Sequence, residues 1–337
     1  MKRLFALLPA VLLAACADSG APAGDEPAPV WNTLDGRAPL VIAHRGASGE
    51  RPEHSEAAFR LAFEQGADIL EPDLMVSRDG VLIARHDPYL STSTDVADRP
   101  EFADRRRALF GRDDWWVIDF TADELRSLNT RQVFEDRSSD HDDRYPVLTF
   151  DDFLDLAGEL EAECDCTITT EPEIKLPAEH AALGLDPLPI LLETLERRGL
   201  NRADAPMVIQ SFDAPFLQRL RPYTDIPLAM LYAGPDDPGS NAGGLPLEEI
   251  AAFADAVGPY KAVLLTPEGA STGYLEAAHA LGLAVHTWTV RDDRAPLTGE
   301  TVEDELRALY ALGVDGVFTD HPATAVRVRD EMARGAQ

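Results

Sequence analysis

Two histidines stand at the ends of short apolar runs, His44 in "VIAHRG" and His86 in "LIARHD". Between them "LEPDL" sets Glu71 and Asp73 two positions apart, and "EPEIK" repeats that spacing with Glu171, Glu173 and Lys175. In an extended chain, residues two apart share a face, so each set projects the same way. Two carboxylates from one strand and a third from a distant strand make a hard oxygen site, suited to Ca²⁺ or Mg²⁺ rather than zinc. Two imidazoles near neutral pH allow one ring to take a proton from an attacking hydroxyl while the other protonates a leaving oxygen. Arg45 offers a planar fork, and Lys175 a point charge, for a phosphate group. Gln210 and Trp288, at two further strand ends, are candidate substrate contacts, and Asp320 ends the last apolar run. Any one of these groups alone reads as a salt bridge or a solvated strand end. Their recurrence on four strands, with two histidines flanking the first acidic pair, favours a site.

The elements that must position them alternate. Apolar runs such as 39–44, 67–76, 80–87, 167–176, 206–212, 226–232, 261–266, 284–290 and 315–320 are separated by amphipathic stretches, among them 56–66, 188–200, 247–257 and 301–313. Roughly eight strands alternating with helices over about 250 residues predict an α/β fold, a (β/α)8 TIM barrel, with working groups at the carboxyl ends of the strands. A doubly wound open sheet is the alternative, but no glycine-rich dinucleotide fingerprint follows the first strand. The polar stretch 88–147 breaks the alternation and is expected to form a small inserted cap subdomain. Trp115 and Trp116 are expected in that insertion's own core rather than over a pocket. His141, His180 and His279 are expected as core or surface residues and His54 as a loop residue, while His321 is ambiguous.

Composition limits the partners. With 60 acidic and 30 basic residues the net charge is −30, which repels nucleic acid and anionic lipid head groups. An anionic ligand therefore needs concentrated local positive charge. The first 16 residues, "MKRLFALLPAVLLAAC", have the positive start and short apolar run of an export signal. "LAAC" resembles a bacterial lipobox, which implies lipid attachment through Cys16 and a periplasmic location, on the outer membrane. Residues 17–37 are expected as a flexible tether and 38–337 as the folded body. Cys164 and Cys166, in "ECDCTI", are read as free thiols, with a strained disulfide as the alternative.

At its site residues the chain resembles the glycerophosphodiester phosphodiesterase family, in particular its periplasmic branch. The carriers are "HRGASGERPEHSEAAF", "GADILEPDLMVSRDGVLIARHD" and "EPEIK", in that order, with "IDFTADELRSL" in the insertion and "GVFTDHP" near the end. The resemblance spans about residues 40 to 328. It implies a β/α barrel with a cap and a divalent cation on Glu71, Asp73 and Glu173, Ca²⁺ favoured over Mg²⁺. It also implies acid–base catalysis by His44 and His86 and phosphate contacts from Arg45 and Lys175, with Glu171 a less certain neighbour. The implied reaction is hydrolysis of glycerophosphodiesters to sn-glycerol 3-phosphate and an alcohol. Cleavage of lysophospholipids, or phosphate and choline binding without catalysis, are the alternatives.

Overall fold

The computed structural model describes residues 31–234 and 245–335. The signal segment, Cys16 and most of the expected tether lie outside the described residues. Residues 31–37, expected as the tether's end, are instead laid on the folded body. Trp31 packs edge-on against Tyr310 at 6.5 Å, and the Asn32 side chain donates to the Ala311 carbonyl at 3.0 Å.

Thirteen strands are present among the described residues: β1 (Leu40–His44), β2 (Ile69–Glu71), β3 (Asp73–Val76), β4 (Leu82–Ala84), β5 (Arg107–Leu109), β6 (Arg112–Asp114), β7 (Thr169–Thr170), β8 (Glu173–Ile174), β9 (Ile209–Ser211), β10 (Leu228–Tyr232), β11 (Ala256–Pro259), β12 (Ala284–Val290) and β13 (Gly316–Thr319). Parallel pairing runs from β8 through β9, β10, β11, β12 and β13 to β1 and β2. The circuit closes because β2 pairs with β7 and β3 with β8.

The two expected strands 67–76 and 167–176 are each split, at Pro72 and Pro172. Proline has no N–H for the ladder, so regular pairing stops for one residue. The staves continue across the break, with Glu173 N–H donating to the Pro72 carbonyl at 2.9 Å and Gln210 N–H to that of Pro172 at 3.0 Å. Counting each split pair as one stave gives the eight-stave TIM barrel.

Three expected elements differ. The segment 80–87 contributes β4, which runs antiparallel to β3 and takes no place in the parallel circuit. The helix expected over 247–257 covers only Leu247–Ile250, and its last residues instead form stave β11. The strand expected over 261–266 is the helix Lys261–Leu264. The reason is positional. Ala256, Val257 and Gly258 fill the slot between β10 and β12, and an added Cβ at Gly258 would lie 2.3 Å from the Leu231 side chain.

One apolar core lies between the staves and the outer helices, centred on residues such as Val41, Phe59, Leu74, Phe216, Leu306 and Val317. The insertion forms a second cluster with Leu90, Phe102, Trp115, Val117, Phe120 and Leu125, seated on Met75 of β3 and Ile83 of β4. Trp115 donates to the Phe102 carbonyl at 2.6 Å and Trp116 to that of Arg107 at 2.9 Å. Both indoles serve the insertion itself, as expected. Cys164 and Cys166 are joined in a disulfide rather than free. Helix Phe150–Cys164 ends at Asp165 in a left-handed turn, which reverses the chain so that the two sulfurs meet.

Candidate active site

The site begins at the turn after β1. Arg45 has φ +60° and Gly46 φ +81°, two successive left-handed residues. A Cβ on residue 46 would lie 2.5 Å from the Ala58 carbonyl carbon, so only glycine lets the chain turn here. The strain at Arg45, about 1 kcal/mol or more for a non-glycine residue, is held by the Arg45 N–H. It donates to the Glu71 carbonyl at 3.0 Å and to Glu71 Oε2 at 2.8 Å. One peptide group thus couples the first histidine turn to the first acidic stave.

A cavity of about 220 Å³ opens at the carboxyl ends of the staves. His44, Arg45, Glu71, His86, Glu173 and Lys175 line its polar side. Gln210 and Trp288 also border it, along with Phe212, Tyr260 and Phe318. Asp73 does not reach the surface of the cavity. It is 1% exposed and lies beneath Arg45 (Nε to Oδ2, 3.0 Å), His54 (Nε2 to Oδ2, 3.1 Å) and Lys175 (Nζ to Oδ1, 3.8 Å).

Glu71, Asp73 and Glu173 each offer an oxygen within 4.8 Å of the others, and all three are buried. Asp73 Oδ1 has no hydrogen-bond partner. Glu53 also accepts from Arg45 at 2.8 Å, so Arg45 and Lys175 face four carboxylates, Glu53, Glu71, Asp73 and Glu173. A divalent cation is the charge that balances the set, and an all-oxygen donor set suits Ca²⁺ or Mg²⁺.

The electrostatics carry the same imbalance. Burial, then the neighbouring Asp73, pushes Glu71 well above the usual carboxylate range. Burial also lifts Glu173 to about 8, against the pull of Lys175. Burial would raise Asp73 too, but Lys175 and Arg45 hold it well below its ordinary value.

The two histidines are built alike. His44 Nδ1 donates to Asp320 Oδ1 at 2.7 Å, and His86 Nδ1 donates to Asp87 Oδ1 at 2.7 Å. A carboxylate only accepts, so each ring carries its proton on Nδ1 and keeps the Nε2 lone pair for the cavity. Burial, with Arg45 next, lowers His44 to about 4, and burial with Arg45 and Lys175 lowers His86 to about 4. Both rings are neutral bases at pH 7.

Asp320 is shared. Arg291 Nε lies 2.7 Å, and Arg137 Nη2 2.6 Å, from its Oδ2. Hydrogen bonding from His44 and these guanidiniums hold its carboxyl well below the usual range, although burial acts the other way. Arg137 comes from the insertion and is 4% exposed at its side chain. It also donates to the Ser48 carbonyl at 3.1 Å and pairs with Asp293 at 2.6 Å.

Several expectations are refined. Glu171 shares a face with Glu173 by spacing, yet its carboxylate turns to His286 Nδ1 at 2.9 Å, inside the barrel. The Gln210 amide donates to the Glu171 carbonyl at 3.1 Å and reaches Glu71 Oε1 at 3.4 Å, so its donor orients a carboxylate rather than a phosphate. Trp288 Nε1 donates to the Gly258 carbonyl at 2.7 Å, which leaves the ring face, not the N–H, for the cavity. His54 is a loop residue but fully enclosed. His321 accepts from Asp292 N–H at 3.2 Å and does not line the cavity. His180 is a core residue, with Nε2 3.3 Å from Met75 Sδ. His279 pairs with Asp315 at 2.8 Å.

Sequence reasoning missed Asp87 as the partner of His86, and also Glu53, Arg137, Arg291 and His286. Asp87 was findable, being adjacent in "RHDP". Arg137 was not, because nothing in its local pattern sets it apart from the other arginines of the insertion.

Residues 44–324 match the family model described as the glycerophosphoryl diester phosphodiesterase family. A glycerophosphodiester phosphodiesterase of Arabidopsis thaliana is 31% identical over 84% of this chain and 83% of its own. That of Haemophilus influenzae is 31% identical over 85% of this chain and 88% of its own. Among solved structures, a phosphodiesterase of Oleispira antarctica in complex with the product sn-glycerol-3-phosphate superposes with a TM-score of 0.62 at 22% identity. It covers 88% of this chain and 99% of that one. The glycerophosphodiester phosphodiesterase of Thermotoga maritima gives 0.55 at 19% identity, over 87% and 99%. A match over most of the chain, two relatives above 30% identity and the common barrel lead to one assignment: the chain belongs to the glycerophosphoryl diester phosphodiesterase family.

Proposed function

We propose that the cavity hydrolyses glycerophosphodiesters to sn-glycerol 3-phosphate and an alcohol, with His44 and His86 as the acid–base pair. The observation that carries this is the convergence of Glu71, Glu173 and two neutral, aspartate-bound imidazoles on one cavity, with Asp73 clustered behind the two glutamates. Glu71, Asp73 and Glu173 would hold a divalent cation, which supplies Lewis-acid stabilisation of phosphate charge when bound. Ca²⁺ is favoured over Mg²⁺ because it accepts a flexible carboxylate set, whereas Mg²⁺ demands near-ideal octahedral geometry.

Arg45 and Lys175 neutralise the entering phosphodiester. One imidazole, neutral through Nε2, removes the proton of the glycerol 2-hydroxyl as it attacks phosphorus. The other acquires a proton beside the bound anion, which raises its basicity, and passes it to the leaving alcohol oxygen. The cyclic phosphate so formed is opened by water with the two rings in exchanged roles. Asp320 and Asp87 fix the tautomer of each ring throughout.

Assay of glycerol 3-phosphate release tests this directly. Chelation is expected to abolish release, with Ca²⁺ restoring more than Mg²⁺. His86→Ala is expected to lose at least about a hundredfold in kcat with an unchanged melting temperature. Near-normal turnover in that variant, or full activity in chelator, rejects the assignment. We further propose that the chain is exported and lipid-anchored at Cys16 in the periplasm, on the grounds of the N-terminal pattern.

A further inference from the structure

Arg85 stands between β4 and His86, and it is 3% exposed. The acceptors of its guanidinium among the described residues are two carbonyls and a hydroxyl. Nε donates to the Asp87 carbonyl at 3.2 Å, and Nη2 donates to the Tyr89 carbonyl and to Ser93 Oγ, each at 2.7 Å. A buried cation held by uncharged acceptors is costly. Burial lowers its pKa, although Glu53, Asp87 and Asp114 act the other way. Packing alone would be served by an apolar side chain of similar volume.

The charge secures a turn. Residues 87–93 open the insertion, and they carry both the partner of His86 and that partner's support. Asp87 Oδ1 accepts from His86 Nδ1 at 2.7 Å, and Asp87 Oδ2 accepts from Thr92 Oγ1 at 3.1 Å. The His86 side chain borders the cavity and is 34% exposed, so its orientation rests on Asp87 rather than on close packing. Arg85 holds the same turn at the Asp87 carbonyl and at two points beyond it. Its own N–H donates to the Asp73 carbonyl at 2.7 Å, which refers the turn to the first acidic stave.

Resting on the hydrolytic reading above, we propose that Arg85 is a positioning residue for the acid–base pair. It fixes the 87–93 turn so that Asp87 keeps the His86 proton on Nδ1 and the Nε2 lone pair toward the cavity. Nε and Nη2 share one edge of the planar guanidinium, and that edge spans all three acceptors. A lysine ammonium, a point charge on a flexible stem, does not.

Glycerol 3-phosphate release from glycerophosphocholine tests this, with the melting temperature as the check on folding. Arg85→Met removes the donors and fills most of the space. It is expected to lower kcat about tenfold while KM stays within about twofold of wild type. Arg85→Lys keeps the charge without the fork and is expected to lose less; it carries the same comparison should Arg85→Met fail to fold. Coupling separates positioning from general support. Asp87→Ala removes the next link, so adding the Arg85 substitution to it is expected to cost less than about twofold more, because groups that act as a unit are not additive. Unimpaired kcat in the folded Arg85 variants, a larger change in KM than in kcat, or losses that multiply in the double variant overturns the positioning role. Wild-type protein inert on both glycerophosphocholine and glycerophosphoglycerol overturns the hydrolytic reading, and this inference with it.

Discussion

Glu71 shows at the residue scale how a site opposes folding. A buried carboxyl whose folded value is raised binds its proton more tightly in the folded than in the unfolded chain, so stability falls as pH rises from the ordinary carboxylate value toward the raised folded one. Glu71→Gln is therefore expected to raise the melting temperature of the metal-free protein at pH 7. It should also abolish the further rise that Ca²⁺ gives the wild type. Thermal melts with and without Ca²⁺ check both. His180 works in the opposite sense. Burial alone lowers it to about 4, so the unfolded chain takes up a proton between pH 6.5 and 4 while the folded one does not. Stability falls across that window by up to about 3 kcal/mol. His180→Leu is expected to flatten this acid limb, measured as denaturant midpoints from pH 7 to pH 4.

At the scale of elements, the insertion reaches the chemistry through Arg137. Arg137 joins the turns after β1, β12 and β13 and holds Asp320, the partner of His44. Arg137→Gln is expected to lower kcat about tenfold with little change in KM, since it loosens a hydrogen-bonded orienting carboxylate rather than a substrate contact. Arg137→Lys, which keeps the charge but not the fork, should recover only part of the loss. A larger change in KM than in kcat would make Arg137 a binding residue instead. Element boundaries also mark where local pattern reached its limit. The alanine-rich stretch 247–257 has helical spacing, but its last residues are consumed as stave β11, because the barrel needs an eighth strand there. The segment 80–87 has the apolar content of a stave yet pairs antiparallel with β3 and is not one of the eight.

For the whole molecule, the proposed lipid attachment is expected to be separable from the chemistry of the cavity. The cavity is assembled from residues 44 to 320, and no helix of the described residues is long and apolar enough to cross a membrane. Cys16→Ser is expected to abolish acyl labelling and to shift the protein from the membrane to the soluble fraction. Specific activity on a water-soluble diester should be unchanged. Retention in the membrane fraction would refute lipid attachment at that cysteine.

The amino-acid sequence by itself determined which groups were candidates for the site. Chemical type and a spacing of two along a strand are local properties, so His44, His86, Glu71, Asp73, Glu173, Arg45 and Lys175 were legible without coordinates. The alternation of apolar runs with amphipathic stretches likewise announced a barrel. Tertiary structure alone decided which carboxylate faces which partner. Glu171 and Glu173 share a strand face by spacing, but one is turned to His286 and the other to Lys175, because the proline between them breaks the stave. Only barrel closure and the fold of the insertion bring Asp320, Arg291 and Arg137 to one histidine. Pairing across 183 and 276 positions of chain leaves no trace in local pattern, since it depends on where each segment ends in space.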